Sequence, residues 1–439
     1  MTTLGALLQR TPYASYTYAY PHKSAYRALG QPVSLRDAWR GEDRGALSLY
    51  MHIPFCEMRC GFCNLFTTIH PNGDLEAAYL DTLEREAGRG RAALGDATFA
   101  RFAIGGGTPT YLKPADLHRL FDIAERTFGV DPHAIPVSVE TSPKTADVGR
   151  LRALRERGVD RVSIGVQSFL EREAAAAGRA QRTAEVEGAL ERIRALGFPT
   201  LNIDLIYGID GQTVESWLHT LRAALRHRPE ELYLYPLYVR PLTGLGKQGR
   251  AWDDIRLACY RAGRDFLRGQ GYSQVSMRMF RAAHAPALDG PVYCCQDDGM
   301  VGLGCGARSY TRGLHYSSEY AVGASGVRAI LSDYVLRDDA SFDAARYGYA
   351  LTEDDRRRRY VLQSLLQAEG LDRAAYRRRF SSDALADLPQ LHELVEHDLA
   401  AASPERLRLN ERGLERSDTI GPWLYAARVR ALMEAFELR

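Results

Sequence analysis

Between residues 46 and 240, short apolar runs alternate with amphipathic stretches. Runs at 46–53, 99–104, 135–140, 159–166, 201–207 and 231–238 have strand length and are rich in Val, Ile, Leu and aromatic residues. Between them, apolar residues recur at helical spacing near 74–94, 114–127, 145–157, 182–196 and 212–227. Repeated strand–helix units imply right-handed βα crossovers and a parallel sheet. Six such units predict α/β architecture, either a partial parallel (β/α)6 barrel or a doubly wound sheet, and the pattern alone does not choose.

The pattern changes near Leu351. A helix is expected from Thr352 through Gln367, with further helices around 372–380 and 383–400, a short strand at 407–409 and a basic-apolar helix from Trp423 onward. Helices ending in a short β-element suggest a winged-helix-like module. The four arginines Arg356, Arg357, Arg358 and Arg359 follow Glu353, Asp354 and Asp355, which favours a solvated, ion-paired helix face over a nucleic-acid contact. The expected organisation is an N-terminal arm (1–45), a barrel (46–280), a barrel-closing segment with a Gly/Cys-rich turn (281–350) and a C-terminal helical module (351–439).

Composition narrows the class. At 439 residues the chain exceeds one typical core. Its formal net charge of +2 provides no field for nucleic acid. No apolar run approaches the ~20 residues of a membrane span, and the first residues lack the pattern of a secretory leader. A cytoplasmic monomer is expected. Seven cysteines, an odd number with three of them inside eight residues, do not make a secreted disulfide framework.

Those three carry the strongest chemical signal. Tyr50-Met-His-Ile-Pro-Phe-Cys56 leads from the first strand into Cys56-x3-Cys60-x2-Cys63. Thiolates bind iron–sulfur clusters and zinc. Structural zinc wants four protein ligands, whereas three close cysteines suit a [4Fe–4S] cubane held at three irons, with the fourth open to chelate a substrate. Buried structural thiols, or a zinc knuckle with a distant fourth ligand, are the alternatives.

In a parallel barrel the reactive groups come from the C-terminal ends of strands. Here the second strand ends in Gly105-Gly106-Gly107-Thr108-Pro109 and the third in Glu140. The fourth ends in Gly165-Val-Gln167-Ser-Phe169, the fifth carries Asn202, Asp204 and Tyr207, and the sixth carries Tyr233, Tyr235 and Tyr238. Packing alone would place Val, Ile and Leu at these positions, so their polarity decides for the barrel.

The spacing of the cysteines and the segments 50–63, 105–112, 165–169 and 202–208 resemble radical S-adenosylmethionine (SAM) enzymes of the oxygen-independent coproporphyrinogen III dehydrogenase-like family. That family also includes haem chaperones and radical methyltransferases or cyclopropane-forming enzymes. The resemblance implies a [4Fe–4S] cluster on Cys56, Cys60 and Cys63. It implies SAM chelated to the open iron and cleaved to a 5′-deoxyadenosyl radical. Tyr50, Gly106, Gly107, Thr108 and Glu140 would contact this SAM, and Phe62, Gln167, Arg179 and Asp204 a second one. Arg179 and Asp204 suit the carboxylate and amine of an amino-acid zwitterion, unless they pair with each other. Porphyrin biosynthesis, a small organic substrate and a flavodoxin or ferredoxin reductant are implied as well.

The chain also departs from its relatives. The dehydrogenase carries a further cysteine where this chain has Leu65. The haem chaperones carry a His-Asn-x-x-Tyr-Trp motif where it reads Asp289-Gly-Pro-Val-Tyr293-Cys294-Cys295. Cys294, Cys295 and Cys305 belong to this chain's own signature, as fillers of a packed turn, substrate-facing thiols, a regulatory disulfide or ligands for something else. The aromatic segment Tyr13-Ala-Ser-Tyr16-Thr-Tyr18-Ala-Tyr20 is expected either to cover the site or to dock on the barrel.

Overall fold

The computed structural model describes residues 3–17, 19–71, 73–249, 251–287 and 298–438. Cys294 and Cys295 lie outside them. The chain divides into two compact units.

The larger unit, chiefly Arg27–Asp254 and His284–Ala350, holds the expected parallel strands. They are β1 (Leu47–Ile53), β2 (Phe99–Gly106), β3 (Val137–Thr141), β4 (Arg161–Gln167), β5 (Thr200–Tyr207) and β6 (Glu231–Pro236), side by side in that order. Helices α1 (Gly73–Leu94), α2 (Pro114–Phe128), α3 (Val148–Glu156), α4 (Thr183–Ala195) and α5 (Val214–Leu225) connect them. This is the partial barrel of the sequence reading.

Side chains alternate across each strand. Leu49, Met51, Val139, Val162, Ile164, Leu201 and Ile203 are buried to 1% exposure or less. This outer face packs against the helices: Phe102 of β2 meets Phe121 of α2 edge-on at 5.6 Å, and Tyr207 of β5 meets Trp217 of α5 at 5.6 Å. Tyr207, one of the strand-end candidates, therefore serves the outer core. The other face is polar and carries Tyr50, His52, Glu140, Arg161, Ser163, Asp204, Glu231 and Tyr233. Helix boundaries follow local chemistry. Gly129 ends α2 with a left-handed φ of 68°, and Thr213 caps α5 by accepting from Ser216 N at 3.1 Å.

Beside β1 lies a seventh parallel strand, β7 (Met300–Leu303), not anticipated from the sequence. It leads into an antiparallel meander of β8 (Arg308–Tyr310), β9 (Leu314–Ser317) and β10 (Ala344–Ala350), with Arg27–Ser34 at the edge. Cys305, in the turn after β7, is fully buried.

The smaller unit comprises Met1–Tyr26, Ile255–Ala283 and Leu351–Phe436. Its helices Glu353–Leu365 and Arg373–Phe380 match expectation, while the stretch 383–400 breaks at Leu388–Pro389 into Ala384–Asp387 and Leu391–Glu396. Leu371–Asp372, Ala400–Ala402 and Arg406–Leu409 form a small antiparallel sheet. In the arginine run, Arg358 pairs with Asp354 at 2.7 Å on the surface, but Arg359 is 2% exposed and donates to Tyr20 O at 2.9 Å. The aromatic N-terminal segment docks on this unit's helix Ser417–Trp423. Thr419 Oγ1 donates to Pro12 O at 3.0 Å, and a Cβ on Gly421 would lie 2.2 Å from Thr17 Oγ1.

Candidate active site

The site begins where β1 and β2 end. Their parallel pairing runs to His52↔Gly105 and Ile53↔Gly106 and then continues onto the cysteine loop. Gly107 N donates to Ile53 O at 2.7 Å, and Thr108 N donates to Phe55 O at 2.8 Å. A Cβ on Gly107 would lie 2.9 Å from Cys56 Sγ, so only glycine lets the turn approach the thiol this closely. Thr108 Oγ1 donates to Cys56 Sγ at 3.5 Å. The glycine turn thus serves as a template for the first cysteine.

The other end of the loop is clamped by glycines. Gly61 N donates to Gly178 O at 3.1 Å, and Leu245 N donates to Gly61 O at 2.8 Å. A Cβ on Gly178, whose φ is +67°, would sit 2.6 Å from Gly61 Cα, and one on Gly244 would sit 3.1 Å from it. Phe62 packs against the core of Ile206, Leu237 and Leu245.

Cys56 and Cys60 are each 8% exposed, Cys63 is half-buried, and all three are free thiols. Burial pushes the Cys56 thiol up to about 12. It raises Cys60 too, against the pull of the Arg179 guanidinium. Such thiols hold their protons until a metal displaces them. Among the described residues, no three His, Cys, Asp or Glu side chains converge on a single metal ion. A cubane asks for a different arrangement, one thiolate at each of three irons, and the donor set of three thiols on a glycine-cradled loop fits it.

The remaining predicted residues gather around this loop. Tyr50 OH bonds His52 Nδ1 at 3.1 Å, and His52 Nε2 lies 3.0 Å from Phe66 O. His52 was missed in the sequence, although period-two alternation from Tyr50 places it on the same face. It is 5% exposed and fills the space that a Cβ on Gly106 or Gly306 would need. Gly106 N donates to Glu140 Oε2 at 3.0 Å. Glu140 keeps accessible surface on the inner face but is ringed by protein. That burial pushes its carboxyl up to about 7, against the Gly106 bond. Asp204 accepts from Asn202 Nδ2 at 2.8 Å and Ser163 Oγ at 3.4 Å, and burial lifts it to about 6. Gln167 ends β4 with φ +69°, a left-handed conformation that costs a bulky residue roughly 1–2 kcal/mol. Its amide folds back over Gly165.

Arg179 is 8% exposed. Its Nε donates to Gln181 Oε1 at 2.8 Å, Nη2 to Gly165 O at 2.9 Å and Nη1 to Cys60 Sγ at 3.3 Å. It does not pair with Asp204. Also missed was a hydroxyl ladder behind the loop. Ser142 Oγ donates to Glu57 Oε1 at 2.6 Å, Thr145 links Ser142 to Thr110, and Thr110 in turn bonds Thr141.

Comparison with known proteins shows the family and the fold. Residues 50–224 match the radical SAM superfamily, and residues 351–415 match the HemN C-terminal domain. Oxygen-independent coproporphyrinogen III oxidase of Paracoccus denitrificans is 30% identical over 431 residues, covering 93% of this chain and 92% of its own. Heme chaperone HemW of Bacillus subtilis is 30% identical over 272 residues, covering 61% of this chain and 71% of its own. The solved structure of coproporphyrinogen III oxidase (HemN) from Escherichia coli has the same fold. It superposes with a TM-score of 0.77 at 24% identity, over 96% of this chain and 98% of the other. With three cysteines cradled at the mouth of a partial barrel and full-length similarity of this kind, the chain belongs to the radical SAM enzymes of the oxygen-independent coproporphyrinogen III oxidase-like family.

Proposed function

We propose that this enzyme binds two SAM molecules, one on a [4Fe–4S] cluster and one beside it, and directs radical chemistry at a small organic substrate. When bound, the cluster supplies one electron that splits SAM into methionine and a 5′-deoxyadenosyl radical. Cys56, Cys60 and Cys63 hold the cluster. Gly106, Gly107 and Thr108 present backbone and hydroxyl groups to the first SAM, with Tyr50 and Glu140 beside them. Phe62, Gln167, Arg179 and Asp204 hold the second.

The observation that carries the two-SAM reading is a guanidinium and a carboxylate that do not pair with each other. Among the described residues, neither Arg179 nor Asp204 forms an ion pair with a charged side chain. Arg179 is held by Gln181 Oε1, Gly165 O and Cys60 Sγ, with a second N–H left on each terminal nitrogen, and Asp204 by Asn202 and Ser163. A ligand carrying both a carboxylate and an ammonium group satisfies both. A flavodoxin or ferredoxin supplies the electron to a monomeric enzyme.

Hydrogen abstraction in the manner of coproporphyrinogen oxidase is the first reading of the substrate step. Radical alkyl transfer is the second, favoured by Leu65. This residue is 46% exposed and stands where the porphyrin-forming relatives carry a further cysteine. Mass analysis of products formed with isotopically labelled SAM separates the two.

The test of the second site is SAM stoichiometry on the reconstituted enzyme. Truncating a buried, hydrogen-bonded charge contact typically costs ~2–5 kcal/mol. Asp204→Asn should therefore weaken one SAM roughly 30-fold or more and spare the other. Glu140→Gln should impair SAM cleavage itself. A wild type that binds one SAM, indistinguishable from Asp204→Asn, would remove the two-SAM reading.

A further inference from the structure

We infer that Arg179 is the counter-ion of Cys60 and sets how readily the cluster accepts its electron. Three of the guanidinium's N–H groups are committed, to Gln181 Oε1, Gly165 O and Cys60 Sγ. The first two acceptors are neutral. A buried guanidinium without an anion is costly, and among the described residues no carboxylate pairs with this one. The sulfur of Cys60 is the group in contact that becomes anionic, because a cysteine ligates metal as thiolate.

The contact is held in place from both sides. Gln181 Nε2 donates to Val166 O at 2.6 Å and Ser168 O at 3.1 Å, which fixes the amide that receives Arg179 Nε. On the other side, Gly178 and Gly61 meet backbone to backbone, so the residue before Arg179 is docked on the residue after Cys60. The docked glycines bring the Arg179 backbone up to the cysteine loop, and the bonds to Gln181 Oε1 and Gly165 O aim Nη1 at Cys60 Sγ.

Hydrogen bonds to ligand sulfurs and local charge are levers on a cluster's potential. Reduction adds one electron from an external one-electron donor, with no bond made or broken and no proton moved. The reduced form carries one more negative charge, so a neighbouring cation and donor stabilise it. Arg179 accordingly raises the potential. This concerns the protein before any SAM binds and holds whether the enzyme takes one SAM or two. Both terminal nitrogens keep a second N–H for a ligand carboxylate.

The test is an EPR-monitored redox titration of the anaerobically reconstituted protein without SAM, with iron content measured in parallel. Arg179→Gln should load iron as the wild type does. Its equilibrium for one-electron reduction should be at least tenfold less favourable, which is 59 mV for a one-electron couple. Arg179→Lys, which retains the charge, should fall between. Equal potentials in wild type and Arg179→Gln at equal iron content would overturn the inference. If Arg179→Gln does not load, Gln181→Ala carries the test, since it keeps the guanidinium but frees its Nε anchor. A lowered potential in that variant supports the inference and an unchanged one overturns it.

Discussion

Glu140 and Asp204 stand on the inner face of β3 and β5, with β4 between them. Both carboxyls are raised chiefly by burial, to about 7 and about 6. Arg161 and Glu231 act on Asp204 from the neighbouring strands with opposite signs, and Asp204 and Arg161 act on Glu140 likewise. Because the folded chain holds these protons more tightly, the two groups contribute most to stability below the ordinary carboxylate range, and that contribution is lost as pH rises through 6 and 7. Ligand binding runs the other way, since a carboxylate accepts from ammonium or hydroxyl donors only when ionised. SAM affinity should therefore fall between pH 8 and pH 5.5, measured by equilibrium binding to the reconstituted protein. The site dependent on Glu140 should weaken at higher pH than the one dependent on Asp204. A flat profile would argue that neither acid contacts the ligand. These acids were legible in the sequence because a polar residue at the end of a barrel strand has no packing reason to be there. His52 and the Ser142–Thr145–Thr110 ladder were not, because a single His or Thr in a strand or turn looks like ordinary filling until its partners are known.

At the scale of elements, the cysteine loop has little regular structure of its own and borrows rigidity from its neighbours. One edge is zipped to the glycine turn after β2, and its middle is pressed onto the loops after β4 and β6. Gly178→Ala places a methyl 2.6 Å from Gly61 Cα and strains a left-handed backbone. That variant should fold but reconstitute with markedly less iron per chain. Gly129→Ala, in open space at the end of α2, should load iron fully despite a similar φ. Equal iron in both variants would mean that the glycine contact does not hold the loop. The six strands were readable because their apolar runs are long and separated by amphipathic helices. The strand β7 was not: it has four residues, one of them glycine, and takes its place by pairing with Ser48–Met51. The long helix expected over 383–400 fails because Pro389 cannot continue it.

Across the whole molecule, the smaller unit is tied together by buried charge. Arg278 pairs with Asp418, at 7% and 1% side-chain exposure, and its guanidinium lies 3.8 Å from the ring centre of Tyr16. Asp418 O also accepts from Ser15 N at 3.3 Å, so the ion pair sits under the N-terminal segment. Removing one partner of a buried pair typically costs about 3–5 kcal/mol, whereas replacing both by apolar residues of similar volume is often neutral. Asp418→Ala should lower the unfolding free energy of this unit by that amount, measured by denaturant titration as a lower midpoint. Arg278→Met combined with Asp418→Leu should recover most of the loss. A full-size loss in the double variant would show that the pair is more than mutual neutralisation. From sequence, the aromatic segment read equally well as a cover for the site or a dock on the barrel. Its partner helix begins some 400 residues later, a separation that no local pattern reports. Among the described residues, no helix is long and apolar enough to cross a membrane.

The central claim is that Cys56, Cys60 and Cys63 hold a cluster that cleaves SAM by reduction. It is tested most directly by anaerobic reconstitution with iron and sulfide, addition of SAM and dithionite, and quantification of 5′-deoxyadenosine and methionine per chain. The wild type should bind iron and sulfide and release both products in equal amounts. The variant with all three cysteines replaced by alanine should do neither, because each replacement leaves an iron under-coordinated. A triple-alanine protein that retained full iron and sulfide and still released 5′-deoxyadenosine would contradict the account.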